Sequence, residues 1–274
     1  MALEGAGEQT VLVTGASGGI GRELARVFAE MGHDLVLVAR NEERLAALAR
    51  ELESAFGVGC RVLVADLACP GAPEDVHREV EEAGIEVEIL VNNAGVGHYG
   101  PFAATDHGRL MEIVALNVAA LTSMTALFLP AMVARGHGRI LNVGSVAGFQ
   151  PTPLVALYGA TKAFILSLTE ALSVELEDTG VTATALCPGF TGTELIDNLC
   201  EQAGVPGMVP DYVLQDPREV AREGVAACLG GRPVHVHGDG YKLGVMWESW
   251  QPRWLVRSMG SMITRMMPVR RGQA

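Results

Sequence analysis

Short apolar runs alternate along the chain with longer stretches of helical spacing. TVLV (10–13), DLVLVA (34–39), RVLVA (61–65), ILV (89–91), RILNV (139–143), VTATAL (181–186) and VHVH (234–237) read as strands, and most are apolar on both faces. Continuous apolar strands belong to sheets covered on both sides. Between them, Ile20, Leu24, Val27 and Phe28 share one face of a helix over 19–31. Leu45, Leu48 and Leu52 do the same on a helix that Asn41 caps, with Glu42 and Glu43 in its first turn. Further helices are expected over 74–83, 105–134, 154–177 and 216–229. This rhythm predicts an α/β fold with a doubly wound parallel sheet, helices on both faces, in a single domain. The body spans 1–240. Within it, about 190–216 lacks clean periodicity and is read as a flexible flap over a ligand.

The polar signals gather at the carboxyl ends of the strands. TGASGGIG (14–21) follows the first strand and opens the first helix. Gly15, Gly19 and Gly21 allow a tight turn and a close approach by a pyrophosphate, with free helix amides to meet it. The second strand ends in Arg40. An acid there would bind a ribose 2′-OH, whereas an arginine suits a 2′-phosphate, so Arg40 together with Arg22 favours NADP(H) over NAD(H). Asp66 ends the third strand, where it could accept a hydrogen bond from an adenine amino group. Ser145 stands at the end of another strand, and Tyr158 and Lys162, four apart, share a helix face. A phenol, an ammonium and a hydroxyl make an acid–base site, in which the ammonium is expected to lower the tyrosine pKa. Asn117 sits among Ile113, Val114, Leu116 and Val118. A buried amide there is either satisfied locally or marks a backbone distortion that holds a water.

Composition narrows the class. The chain has 274 residues, 49% of them hydrophobic, and a net charge of −12, which argues against a nucleic-acid partner. Five cysteines without paired spacing (Cys60, Cys69, Cys187, Cys200 and Cys228) suit a reducing cytoplasm. The N-terminal MALEGAGEQT has neither the basic region nor the apolar core of a signal peptide. The apolar tract 119–134 is interrupted by Thr122, Ser123, Thr125 and Pro130, so a buried helix is expected, not a membrane span. His235 and His237 face one side of their strand and, with Asp239, could approach a metal. No third ligand stands out, so no metal is expected.

The extension 241–274 differs from the body. It holds six basic residues against one acid, all three tryptophans and five of the eleven methionines. Leu255, Met259, Met262, Ile263 and Met266 fall at helical spacing. A helix packed on the body or on another subunit is expected, with contact to a membrane surface as the lesser alternative.

Taken together and in order, TGASGGIG, Asp66, NNAG (92–95), Asn117, Ser145, YGATK (158–162) and PGFTGTE (188–194) resemble the single-domain short-chain dehydrogenase/reductase family, collinearly over 10–195. The resemblance implies a Rossmann-type fold and hydride transfer between a nicotinamide cofactor and a carbonyl or secondary alcohol. It makes Tyr158 the general acid/base, and Lys162 the group that lowers its pKa and binds the nicotinamide ribose. Ser145 becomes the donor to the substrate oxygen and Asn117 the anchor of a relay water. It puts the cofactor on Gly15, Ser17, Gly19, Ile20, Gly21, Arg40, Asp66, Leu67, Asn93, Ala94, Gly95, Tyr158, Lys162, Pro188, Gly189 and Thr191. In NADP-using members a basic or serine residue often stands where this chain has Gly18. The family habit also implies a homodimer or homotetramer. Apolar side chains in the flap and tail, Leu195, Ile196, Leu199, Met208, Val209, Tyr212 and Trp247, suggest a hydrophobic small-molecule substrate. The alternatives are a cofactor-sensing binding protein without turnover, or an epimerase or dehydratase with transient cofactor redox.

Overall fold

The first strand shows how the sheet is covered. In β1 (Thr10–Thr14), Val11, Leu12 and Val13 are all fully buried. Val11 and Val13 enter one apolar cluster with Leu24 and Phe28 of α1 (Gly19–Glu30) and Leu45 of α2 (Glu42–Phe56). Leu12 enters another, with Val76 of α3 (Ala72–Glu82) and Met124 of the long helix over 107–135. Alternate side chains therefore feed two helical layers, which is why the strand is apolar throughout. Each fully buried leucine or phenylalanine contributes about 1.5–3 kcal/mol of transfer free energy.

The computed structural model describes residues 9–205, 207–252, 254–256 and 258. The remaining strands are β2 (Asp34–Ala39), β3 (Cys60–Val64), β4 (Val87–Asn92), β5 (Gly138–Val143), β6 (Val181–Cys187) and β7 (Val234–Val236). They form one seven-stranded sheet in the order β3-β2-β1-β4-β5-β6-β7, parallel at every pairing. The winding reverses between β1 and β4, and in such sheets ligands bind at the carboxyl ends beside that reversal. The expected doubly wound, Rossmann-type single domain is the fold observed.

β4 starts two residues before the predicted strand because Glu88, a charge inside it, is buried against the His137 ring at 2.7 Å. The long helix is α4 (His107–Val114), a π-helical turn (Ala115–Ala120) and α5 (Leu121–Arg135). By length and composition, 107–135 could cross a membrane, but Leu116, Ala120, Met124, Phe128 and Met132 pack it onto the sheet. α6 (Ala156–Glu175) follows β5, and α8 (Pro217–Leu229) packs along α1.

The flap carries more regular structure than its sequence suggests. Glu194–Ala203 forms α7, with acids Glu194 and Asp197 in its first turn and Cys200 and Ala203 buried beneath. Thr191 bridges to Gln215 at its base. The periodicity is hidden because only 10 residues are helical, between glycines and prolines. The extension begins with α9 (Asp239–Ser249). Met259, Met262, Ile263 and Met266, and the N-terminal residues 1–8, lie outside the described residues.

Candidate active site

A cleft of about 1030 Å³ opens along the carboxyl ends of the strands on both sides of the β1/β4 reversal. That is the upper end of the usual range for ligand pockets, about 300–1,000 Å³. Of the predicted cofactor positions, Gly15, Ser17, Gly19, Ile20, Arg40, Asp66, Leu67, Asn93, Ala94, Gly95, Tyr158, Lys162, Pro188, Gly189 and Thr191 all line it, as does Ser145. Gly21 and Asn117 are not in the lining and work from behind.

The glycine turn is shaped by what packs against it. A Cβ on Gly21 would fall 2.3 Å from Asn93 Nδ2 and 2.4 Å from the Gly15 carbonyl, so no larger residue fits. Gly15 is left-handed, at φ +67°, and its side-chain direction is filled by Asn93 and Ala94. Asn93 Nδ2 donates to the carbonyls of Thr14 and Gly15, at 2.9 and 3.2 Å. Its amide side chain is thus engaged in building the cradle. Thr14, which the sequence reading did not single out, is the hinge of this corner. Its hydroxyl donates to Val91 O and accepts from the amides of Asn93 and Ala94. Gly18, at the N-cap of α1, offers no side-chain cap, and Gly19 and Ile20 of the first turn line the cleft. Uncapped amides at the positive end of a helix suit a phosphate. The residues present therefore fit a dinucleotide.

The cationic end differs in detail from expectation. Arg22 does not line the cleft. It lies on the outer side of α1, with Nε 3.4 Å from Glu23. The second arginine is Arg44, on the first turn of α2, four residues after Arg40. Its guanidinium reaches within 3.9 Å of where a Gly18 side chain would begin. A cation thus stands near the position whose basic residue is missing from the sequence. The signal was the Arg40-x-x-x-Arg44 spacing at a capped helix start, where Asn41 Oδ1 accepts from Arg44 N at 2.9 Å. Both arginines have acidic neighbours: Arg40 is 3.7 Å from Asp66 and 4.0 Å from Glu112, and Arg44 pairs with Glu194 at 2.8 Å.

At the other end, Ser145 caps a short turn after β5, its Oγ accepting from Ala147 N at 3.1 Å. Tyr158 and Lys162 project from α6 as the four-residue spacing requires. Lys162 is buried, its Nζ donating to Val143 O at 2.7 Å and lying 5.6 Å from the Tyr158 ring centre. Burial pushes the Lys162 pKa down to about 8 and the Tyr158 pKa up to about 12, with the Ser145 hydroxyl opposing the latter. This reverses the expected direction for the tyrosine. The ammonium is itself desolvated and turned towards Val143, so loss of hydration sets the direction and only the Ser145 hydroxyl opposes it. The Tyr158 ring still borders the open cleft, so the upward push is strongest when the cleft is dry.

Asn117 occupies the π-helical turn, so its buried amide both coincides with a backbone distortion and is satisfied by neighbours. Its Nδ2 donates to Val96 O at 2.9 Å and to Thr161 Oγ1 at 3.0 Å, while Oδ1 accepts from Val96 N at 2.9 Å. Three of its four hydrogen-bonding positions are used. Beneath it, Asn92 donates to Thr125 and Asn142, and Asn142 donates to Thr169, tying β4, β5, α5 and α6 together.

α9 closes one side of the cleft. Tyr241, Gly244, Val245 and Trp247 line it with Leu195, Leu199 and Met208. Tyr241 lies over Gly189, its hydroxyl accepting from Phe190 N at 3.3 Å.

A doubly wound sheet with such a cleft at its carboxyl ends is a nucleotide-binding architecture. The family model described as short chain dehydrogenase matches residues 9–204, and the chain belongs to the short-chain dehydrogenase/reductase family, whose fold binds NAD(P). It is 34% identical over 190 residues to a very-long-chain 3-oxoacyl-CoA reductase of Anas platyrhynchos, covering 67% of this chain and 60% of that relative. The chain thus spans less than two thirds of that relative's length. It is 36% identical to sulfoacetaldehyde reductase 2 of Chromohalobacter salexigens, over 83% of this chain and 90% of the relative. A solved short-chain dehydrogenase from Sphingobium yanoikuyae, in complex with NADPH, aligns with TM-score 0.78 and 34% identity, covering 97% and 98% of the two chains.

Proposed function

We propose that this protein reduces the carbonyl of a hydrophobic small molecule with NADPH, Tyr158 giving the proton. The observation that carries this reading is one cleft with Arg40 and Arg44 at one end and Ser145, Tyr158 and Lys162 at the other. Arg40 and Arg44 would hold a 2′-phosphate, the start of α1 the pyrophosphate, and Lys162 the nicotinamide ribose. When bound, the cofactor supplies the hydride. Ser145 would donate to the substrate oxygen and fix its position. Tyr158, held neutral by burial, would give its proton to that oxygen as charge develops there. In the reverse direction it would take the proton back. Asn117 would hold the backbone from which a relay water recharges it. The apolar wall of Leu195, Leu199, Met208, Val245 and Trp247 favours an apolar substrate. An NADPH complex among similar structures supports the cofactor part of this reading, and reductases among the relatives support carbonyl reduction; neither bears on the apolar substrate.

Titration of NADPH and NADH against wild type and Arg40→Ala tests the cofactor. Tighter NADPH binding, weakened selectively by the substitution, supports the reading. Preference for NADH, or indifference to Arg40, overturns the phosphate assignment. An apolar ketone series should then turn over faster than small polar ketones, and the opposite order would remove the substrate class.

The same reading puts the enzyme in the cytoplasm as a homodimer or homotetramer. Met111, Val133, Phe164 and Val174 leave apolar surface on α4, α5 and α6, which suits an isologous interface. Light scattering that gave a monomer would exclude it.

A further inference from the structure

β7 forms one edge of the sheet, and the chain leaves it through His237. His235 and His237 are 8% and 7% exposed, so both imidazoles are buried on one face. Asp239 is not their neighbour; it is exposed and pairs with Lys242 at 3.2 Å. The third group comes instead from α8. Glu223 Oε2 lies 2.8 Å from His235 Nε2 and 3.0 Å from His237 Nδ1. Sequence reading misses this because Glu223 is twelve residues away from His235 and on another element.

The two contacts are not equivalent. His235 Nε2 makes a hydrogen bond with the carboxylate. His237 Nδ1 lies 3.0 Å from the same oxygen, within ion-pair reach but poorly directed for a hydrogen bond, and it is fully enclosed. A buried ring nitrogen thus stands in ion-pair contact with a carboxylate oxygen, beside a second imidazole, without a well-directed hydrogen bond of its own. Such a nitrogen needs a partner. A cation seated between the three atoms would use all three lone pairs together. Bonds of about 2.0–2.2 Å in tetrahedral array put ligand atoms about 3.3 Å apart. The observed spacings of 2.8 and 3.0 Å need to open by only about 0.3–0.5 Å to reach that.

We propose that Glu223, His235 and His237 form a site for a first-row divalent cation, with Zn²⁺ the best match to two imidazoles and one carboxylate. The carboxylate side chain is 46% exposed, which gives the ion a route from solvent and leaves a coordination position for water. The site is separate from the catalytic cleft but joined to it. His237 O accepts from Gln215 Nε2 at 2.9 Å, and Gln215 Oε1 accepts from Gly189 N at 2.9 Å. The ion would therefore clamp α8 to the edge strand beneath the loop that carries Gly189. The proposal does not depend on the cofactor preference.

Chelator-treated full-length protein, titrated with ZnCl₂ and separately with CoCl₂, tests it. Wild type should take up one ion per chain, melt at a higher temperature with Zn²⁺, and give the visible ligand-field band of tetrahedral Co²⁺. Glu223→Gln and His237→Gln should lose more than the about 10–100-fold in affinity that an outer-shell change costs a zinc site. His137→Gln, in a second His/Glu cluster among the described residues with Glu86 and Glu88, should bind as wild type does. No uptake by wild type, or uptake unchanged in both site variants, overturns the proposal. If a site variant fails to fold, the wild-type Co²⁺ spectrum still decides: absence of a tetrahedral band counts against the site.

Discussion

Asn117 donates its side-chain amide to the hydroxyl of Thr161 at 3.0 Å, and Thr161 in turn donates to Tyr158 O at 2.7 Å. The π-helical turn is therefore bonded to α6 between the tyrosine and the lysine. Thr161 is buried, so the bond is shielded from water. Thr161→Val keeps the shape but strands one amide hydrogen. We expect a loss of about 1–3 kcal/mol in urea unfolding. A fall in kcat exceeding any change in KM would show that the pair positions α6.

Tyr158→Phe should cut kcat by about 10²–10⁴ while leaving cofactor affinity close to wild type. The ring and its packing stay, and only the proton donor goes. Steady-state rates beside a binding titration separate the two effects.

Lys162 gives a pH signature. Its pKa falls from 10.5 to about 8 in the folded protein because burial disfavours the ammonium. Between these values the unfolded chain binds a proton that the folded chain has released, so stability rises with pH. Wild type should gain up to about 3 kcal/mol over this window relative to Lys162→Met, which lacks the group. Tyr158, raised from 10 to about 12, acts oppositely: its contribution is present below pH 10 and is lost above it. Urea midpoints of both proteins between about pH 8 and 10 check the sign.

Arg44 is shared between α2 and the start of α7 through Glu194. If it also serves a 2′-phosphate, Arg44→Ala should weaken NADPH on the order of tenfold or more and NADH little, as loss of a charge-assisted bond does. Glu194→Gln should strengthen NADPH modestly by removing the competitor. Equal effects on both cofactors would assign Arg44 to the α2–α7 contact alone.

Gly189 has no room for a side chain: a Cβ there would lie 2.3 Å from the Tyr241 ring. Gly189→Ala should displace α9 and open that side of the cleft. The tryptophans all lie at 247–254, and Trp247 lines the cleft, so their emission should report the displacement. Turnover of apolar substrates should fall more than that of small ones.

Much of the site was legible because its residues are bound to local structure. Tyr158 and Lys162 need only the helical period, Asn41 only its cap, and the glycines only the strand–turn–helix order. What escaped notice is long-range. Thr14 matters because Asn93 and Ala94 come to it from the loop after β4. Glu223 matters because α8 lies against β7. Spacing gives the proximity of Tyr158 and Lys162 but not their hydration, and burial is what raises the tyrosine pKa.

The sequence by itself determined the doubly wound sheet, the end of it that carries the chemistry, and which side chains are candidates. Apolar period and turn residues act over a few neighbours, and these features need no more. Tertiary structure alone decided which arginine joins Arg40, which residues wall the cleft, how burial tunes Lys162 and Tyr158, and which carboxylate meets the two histidines. Those depend on contacts between elements far apart in the chain, which only the packing of helices on the sheet brings together.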